Sequence, residues 1–206
     1  MPTQEKPKVT CYSEGEEALM RTSQDIRGRL LRPLLVLLAR IRVTPNHLTL
    51  ASLLTGLAFS PSFLLGHTIA AFGWLLAHVL LDGLDGPLAR FTGRASNQGS
   101  FTDTTADQVV VTFSTITLIH AGVVGVWPGA LYLFFYSVVV IFAMVRNALA
   151  IPYSWLVRPR FLVYAWAPIE IYYWHGTLDV VLWLVTALLA LKMLTGFVQI
   201  RRRMRD

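Results

Sequence analysis

Between Val43 and Ile200 the chain is a run of long apolar stretches holding only 12 of its 30 charged residues, while the first 42 positions hold 13. A hydrocarbon core about 30 Å thick needs roughly 20 apolar helical residues to cross it. The 158 positions from Val43 to Ile200 are therefore enough for six helical spans with short loops. Overall 54% of residues are apolar and 15% charged, against roughly 45–50% and 25% in an ordinary soluble domain, which argues against an ordinary water-soluble globule. The expected fold class is an all-α integral membrane protein with six transmembrane helices and an N-terminal amphipathic juxtamembrane helix.

Turn residues place the spans. Thr44-Pro45 reads as an N-cap followed by proline at the first helical position, where a missing N–H is harmless. The first span is predicted from Pro45 to Leu65, with Pro61 near its end and Gly66 in the turn. The second runs from His67 to Phe91 and the third from Gly99 to Val126, where Trp127-Pro128-Gly129 breaks the pattern. Only Thr92 to Gln98 separate the second and third, so the two form an antiparallel hairpin. The fourth covers Pro128 to Ile151, the fifth Phe161 to Trp174 and the sixth Thr177 to Ile200. The fifth is short and contains Pro168 and Glu170.

Basic residues orient this layout, because cytoplasmic loops carry the excess of Lys and Arg. The amino-terminal segment, Arg94, the pair Arg158 and Arg160, and the tail RRRMRD fall on one side, whereas residues 61–67, 122–129 and 173–178 contain no Lys or Arg. Both termini are thus expected in the cytoplasm. Residues 18–42 mix leucines with six arginines, as in a helix lying on an anionic membrane surface or in a basic flank that orients the first span. The expected organisation is a cytoplasmic segment 1–42, a membrane domain 43–200 and a basic tail 201–206. Residues 1–17 lack the pattern of a signal peptide, and Cys11, the single cysteine, excludes an internal disulfide and a Cys-based metal site. The net charge of +6 reports topology rather than a nucleic-acid partner.

Six acidic residues lie inside the predicted spans, and four of them, Asp82, Asp85, Asp103 and Asp107, fall within 26 positions. One aspartate at mid-membrane costs roughly 2.5–3.5 kcal/mol, so four need neutralising partners. Asp82 and Asp85 are spaced i, i+3 and Asp103 and Asp107 i, i+4, so each pair shares a helix face. The hairpin brings the two pairs to nearly equal depth, and four carboxylates can converge. Arg90 and Arg94 supply at most two positive charges nearby. Two divalent cations, Mg²⁺ or Mn²⁺, fit better, because hard ions favour carboxylate oxygens and leave room for phosphates. Gly83, Gly86 and Gly99 present small surfaces beside the acids. An ion-paired cluster serving only the bundle, or a proton or cation pathway, would explain the acids but not the glycines and arginine at fixed offsets.

The segment from Asp82 to Asp107 resembles the signature of the CDP-alcohol phosphotransferases (CDP-alcohol phosphatidyltransferases, class I), D-x2-D-G-x2-A-R-x8-G-x3-D-x3-D. All eight fixed positions match: Asp82, Asp85, Gly86, Ala89, Arg90, Gly99, Asp103 and Asp107. The resemblance implies an enzyme of phospholipid biosynthesis that transfers a phosphatidyl group from CDP-diacylglycerol to an alcohol and releases CMP. It implies Asp82, Asp85 and Asp103 as metal ligands, with Asp107 touching a second ion and acting as the base. It further implies that Gly86, Ala89, Arg90, Ser96 and Gly99 line the CDP donor, and that the opening of the first span, Asn46 through Thr49, touches the nucleotide. Asn46 and Thr49 can equally be read as helix-capping residues. A homodimer is implied as well.

For the acceptor, Arg146, Arg158 and Arg160 are candidates for an anion pocket, which favours glycerol 3-phosphate or inositol phosphate over serine or choline. The same three arginines also read as cytoplasmic loop charges. His47, His78, His120 and His175 form no metal set, and His78 reads as a packing or hydrogen-bonding residue. Glu170 and Asp179, toward the outer side, read as interhelical hydrogen-bonding or dimer contacts, and Tyr172, Tyr173 and Trp174 as an interfacial aromatic belt. Two other classes compete with this reading. An intramembrane Mg²⁺-dependent prenyltransferase would release diphosphate instead of CMP, and a cation channel or carrier would conduct ions without any nucleotide.

Overall fold

A computed structural model of the chain describes residues 30–149, 151 and 158–205. The expected cytoplasmic segment therefore lies outside the described residues up to position 29, and with it the first half of the expected amphipathic helix. The described part begins in a helix, α1 (residues 30–40). Six more follow: α2 (Pro45–Leu64), α3 (Thr68–Phe91), α4 (Asn97–His120), α5 (Val126–Ala148), α6 (Pro159–Tyr172) and α7 (Thr177–Arg203). No strand occurs among the described residues.

The start of α2 follows from local chemistry. Thr44 sits in extended backbone, its Oγ1 accepts the His47 N–H at 3.3 Å, and His47 Nδ1 accepts the Thr44 N–H at 3.4 Å. Two helix-end donors are thereby satisfied reciprocally, with Pro45 at the first helical position. Gly66, at φ +83°, reverses the chain into α3, a conformation that costs glycine little.

Three of the boundaries that differ from expectation have a clear local cause. The third span was expected to reach Val126, but α4 ends at His120, because Gly122 takes φ +70° and the Val123 N–H turns back to the Leu118 carbonyl. Trp127-Pro128-Gly129, expected as the break, instead lies in the first turn of α5, where proline's missing N–H has no intrahelical partner to lose. Arg201, Arg202 and Arg203, expected as tail, extend α7, where cations face the negative end of the helix dipole.

Helices α2, α3, α5 and α7 are long and apolar enough to cross a membrane. The six expected spans are thus matched by four on length and composition. Helix α4 has 24 residues but carries Asp103, Asp107 and a series of threonines. Helix α6 has 14 residues and rises only about 21 Å at 1.5 Å per residue.

Packing divides into two parts. Helix α2 lies against α3 and α4, and α5 against α7, with α4 touching α5 and α6 touching α7. Where α2 meets α4, a Cβ at Gly56 would come within 2.5 Å of a Val110 methyl, so only glycine allows that approach. Phe59, Leu75, Val110, Val111, Tyr132 and Leu182 belong to one continuous core. A smaller cluster, Leu35 with Leu48 and Leu88, ties α1 to α2 and α3. Outward-facing leucines such as Leu54, Leu76, Leu80, Leu184 and Leu188 are more than half exposed, the arrangement of a bundle solvated by hydrocarbon.

Away from the aspartates, two carboxylates stitch helix starts together. Glu170 of α6 accepts the N–H groups of Gly176 and Leu178 and the Thr177 hydroxyl, and Asp179 Oδ1 accepts the Gly125 N–H at 2.8 Å. These are the interhelical hydrogen bonds expected of Glu170 and Asp179.

Candidate metal centre

The inward face of α3 carries Leu75, His78, Asp82, Asp85 and Leu88, spaced three or four apart so that one stripe of the helix faces the bundle. Asp82 and Asp85 are buried there. The link to α4 is short: Gly93 takes φ +66°, and Ser96 caps α4 by accepting the Gly99 N–H at 3.1 Å. The hairpin then brings Asp103 to the α3 pair. Carboxylate oxygens of Asp82, Asp85 and Asp103 lie within 4.8 Å of one another.

Other elements close around this triad. Thr49 of α2 donates from Oγ1 to Asp85 Oδ2 at 2.7 Å. Arg160, at the start of α6, places Nη2 2.7 Å from Asp82 Oδ2 and pairs through Nη1 with Asp107 Oδ2. Arg158 Nη1 lies 3.8 Å from Asp82 Oδ2. Behind Asp107, His78 directs Nε2 toward Oδ1 at 4.0 Å, while its Nδ1 meets Ser52 Oγ at 2.8 Å and the Ser52 carbonyl at 3.1 Å. Because a carbonyl can only accept, that second contact places a ring proton on Nδ1.

The residues fit a divalent cation. Three hard oxygen donors converge from two helices, two of them buried, the donor chemistry that Mg²⁺ and Mn²⁺ prefer. Formal charge points the same way: Arg158 and Arg160 reach Asp82 and Asp107 but not Asp85 or Asp103 in the contacts described, and a divalent ion is the countercharge a poorly solvated acid cluster takes. Asp82, Asp85 and Asp103 would hold such an ion. Asp107, the fourth expected ligand, stands with Arg160 instead of in the triad.

The remaining expected residues sort as follows. Thr49 faces the acids, whereas Asn46 is exposed in the first turn of α2. Gly86, Ala89 and Arg90 follow Asp85 toward the end of α3, with Arg90 Nη1 about one van der Waals contact, 3.5 Å, from where a Gly86 Cβ would stand. Ser96 and Gly99 form the α4 cap. Arg146 is buried in the last turn of α5. Arg158 and Arg160, expected at an acceptor, are brought to the acids themselves. The contacts of Ser52 and Thr49 were not anticipated; a hydroxyl one or two turns into a span, on the face of Leu48, is the signal that could have found them.

A family model described as CDP-alcohol phosphatidyltransferase matches residues 42–198. An archaetidylinositol phosphate synthase of Aeropyrum pernix is 34% identical over 116 residues, 56% of this chain and 53% of the relative. The Pyrococcus horikoshii archaetidylinositol phosphate synthase is 43% identical over 72 residues, covering 35% and 38%. A CDP-diacylglycerol–serine O-phosphatidyltransferase of Mycobacterium tuberculosis is 30% identical over 111 residues, covering 53% and 39%. The chain thus spans about half or less of the length of the curated relatives it matches. Among solved structures, Mycobacterium tuberculosis phosphatidylinositol phosphate synthase with CDP-DAG bound superposes with a TM-score of 0.71 at 20% identity, over 84% of this chain and 94% of that one. The same enzyme in complex with manganese and citrate gives 0.69 at 19% identity, over 82% and 87%. These two likenesses establish a shared fold.

Proposed function

The chain belongs to the CDP-alcohol phosphatidyltransferase family, and on that premise we propose that it transfers a phosphatidyl group from CDP-diacylglycerol to a phosphorylated polar alcohol, releasing CMP, in phospholipid biosynthesis. The observation that carries this reading is the convergence of Asp82, Asp85 and Asp103 within 4.8 Å in a segment that matches the whole eight-position motif. Inositol phosphate is the favoured acceptor over glycerol 3-phosphate. Two relatives named for archaetidylinositol phosphate synthesis support that choice, and the three arginines Arg146, Arg158 and Arg160 on the α5–α6 side support a phosphorylated acceptor of either kind.

Bound divalent cations, two Mg²⁺ or Mn²⁺, would supply charge neutralisation for the donor diphosphate and the departing CMP. The chain's own residues do the rest. Asp82, Asp85 and Asp103 would hold the metal, with Asp107 as a further ligand, and Thr49 fixes Asp85 through its hydroxyl. Gly86 leaves open the flank of α3 along which the Arg90 fork binds the diphosphate bidentately, with Asn46, Ala89, Ser96 and Gly99 around the nucleotide. Asp107 takes the acceptor's hydroxyl proton, the alcohol oxygen bonds to the donor's lipid-bearing phosphorus, and the bond to CMP breaks. Catalysis is then chiefly positioning and charge stabilisation.

In the membrane, residues 43–200 act as one six-span domain, with α4 and α6 completing the four apolar spans. Both termini and the site face the cytoplasm, as the arginine distribution supports. Helix α1, whose Leu30, Leu34 and Leu37 are exposed beside Arg32 and Arg40, lies on the bilayer surface, and the chain works as a homodimer. The test is to supply purified protein with CDP-diacylglycerol and Mg²⁺ or Mn²⁺ and to measure CMP release with inositol phosphate, glycerol 3-phosphate and serine. Release with inositol phosphate is expected. Failure with every acceptor would overturn the proposal, and release of diphosphate from a prenyl donor would replace it.

A further inference from the structure

At the end of the bundle away from the aspartates, two contacts fix the register of α5, α6 and α7: Asp179 Oδ1 accepts the Gly125 N–H, and Glu170 Oε2 accepts the Leu178 N–H. Helices α5 and α7 both run from that layer toward the aspartates. Tyr132 stands seven residues past Gly125 and Thr186 seven past Asp179, so both lie about 10 Å along at 1.5 Å per residue. Tyr164, six residues before Glu170 on α6, comes to about the same depth. Its ring meets His78 edge-on with centroids 6.3 Å apart, and Arg160 follows one turn nearer the aspartates on the same face of α6. All three side chains are buried: Tyr132 is 0% exposed, Thr186 5% and Tyr164 9%. None of their hydroxyls has a hydrogen-bond partner among the described residues, and neither does Arg160 Nε. Ser114 of α4, beside Tyr164, spends its own proton on the Val110 carbonyl. A buried hydroxyl left unsatisfied costs about 1–3 kcal/mol, and Phe, Phe and Val would fill the same space without that cost. Three such hydroxyls in one layer, on three helices, describe a ligand site.

We propose that Tyr132, Tyr164 and Thr186 form an internal water site between α5, α6 and α7, whose ordered waters hydrate the Arg160 guanidinium from behind. Water is the ligand that fits: at these burials the layer is closed to a substrate-sized group, and a buried water makes about three hydrogen bonds to polar atoms that would otherwise lack them. Arg160 needs such support. It is 1% exposed, with Nη2 on Asp82 and Nη1 on Asp107. Taking those charges out of water is costly unless the remaining donors are satisfied, and Nε is one of them. Tyr132 and Tyr164 both lie within electrostatic range of the guanidinium. The three hydroxyls touch no substrate; they are positioning residues that act through Arg160.

The experiment is X-ray hydroxyl-radical footprinting of the detergent-purified full chain, read by mass spectrometry, because radicals born from bound water label the buried side chains beside it. Tyr132 and Tyr164 are expected to be labelled severalfold faster than Phe59, a ring buried as fully as Tyr132 in the apolar core. Equal rates overturn the proposal. Protection of Tyr132 by added inositol phosphate overturns it in favour of a substrate subsite. Y132F and T186V supply a second test, with gel filtration to verify folding. Each should lower the melting temperature, and the double variant should lose less than the sum of the two, since both hydroxyls share the same waters. An unchanged or raised melting temperature, the result for deleting a hydroxyl that has no partner, or strictly additive losses, overturns the water site. Both variants should also lower kcat for CMP release at unchanged KM for inositol phosphate, and a rise in KM alone overturns the positioning role. That last readout rests on the proposed function. Absence of CMP release by the unaltered chain overturns the proposed function and leaves the water site to be decided by footprinting and melting.

Discussion

Thr49 and Asp85, 36 positions apart, share a 2.7 Å hydrogen bond that joins the first spanning helix to the acid cluster. Thr49→Val keeps the shape and leaves a buried carboxylate oxygen without its donor, at a cost of about 1–3 kcal/mol. Transfer should fall by about fivefold to a hundredfold on that scale, while Thr49→Ser retains most of it. Initial rates of CMP release for the two variants decide the matter.

Asp107→Asn preserves size and removes the base. Transfer should be abolished while binding of CDP-diacylglycerol, measured by calorimetry in detergent, survives at least partly. Substantial turnover by this variant would sink the assigned role.

Chelation should stop CMP release, and either Mg²⁺ or Mn²⁺ should restore it. Ca²⁺, larger and looser in its coordination, is expected to restore it poorly. Titrating each ion back into chelator-treated protein provides the measurement.

Gly56→Ala puts a methyl group where Val110 already stands, and overpacking of that kind costs about 1–3 kcal/mol. The melting temperature in detergent should drop, and Val110→Ala in the same chain should recover part of the loss. Recovery is the informative outcome, since it traces the defect to the α2–α4 contact.

Glu170→Gln keeps an acceptor but removes the charge that receives the Leu178 and Gly176 N–H groups and the Thr177 hydroxyl. Charge-assisted bonds of this type are worth about 1.5–3 kcal/mol. Thermal stability should therefore fall, with the Mn²⁺ affinity of the folded protein unchanged because Glu170 does not touch the aspartates.

The acid cluster was legible in the sequence because its parts are local. Asp82 to Asp107 lie on one hairpin, and helical spacing alone brings their faces together. The α2 start was equally legible, since Thr44, Pro45 and His47 act on one another within a single turn. Arg160 was not: its partner Asp82 is 78 positions away, and no periodicity says that the start of a short helix will fold over the end of a distant one. The end of α4 was misplaced because Gly122 reads as one small residue in an apolar run, although its left-handed backbone, with the Val123 N–H on the Leu118 carbonyl, is the glycine helix cap that a local reading can find. Six spans were read where four meet the length and apolarity of a crossing helix. Asp103, Asp107 and the threonines of α4 lower its hydropathy below that of the four apolar helices.

The order of synthesis gives the Arg160 fork a further consequence. A ribosome that has completed α3 and α4 has made all four aspartates but not the arginine that will bridge Asp82 and Asp107. The early hairpin enters its folding pathway without the Arg160 charge, which α6 delivers only after α5 is made. Closure of the site is therefore a late event in the chain's biogenesis, and a chain truncated before α6 carries the whole signature motif without the contact that holds it in order.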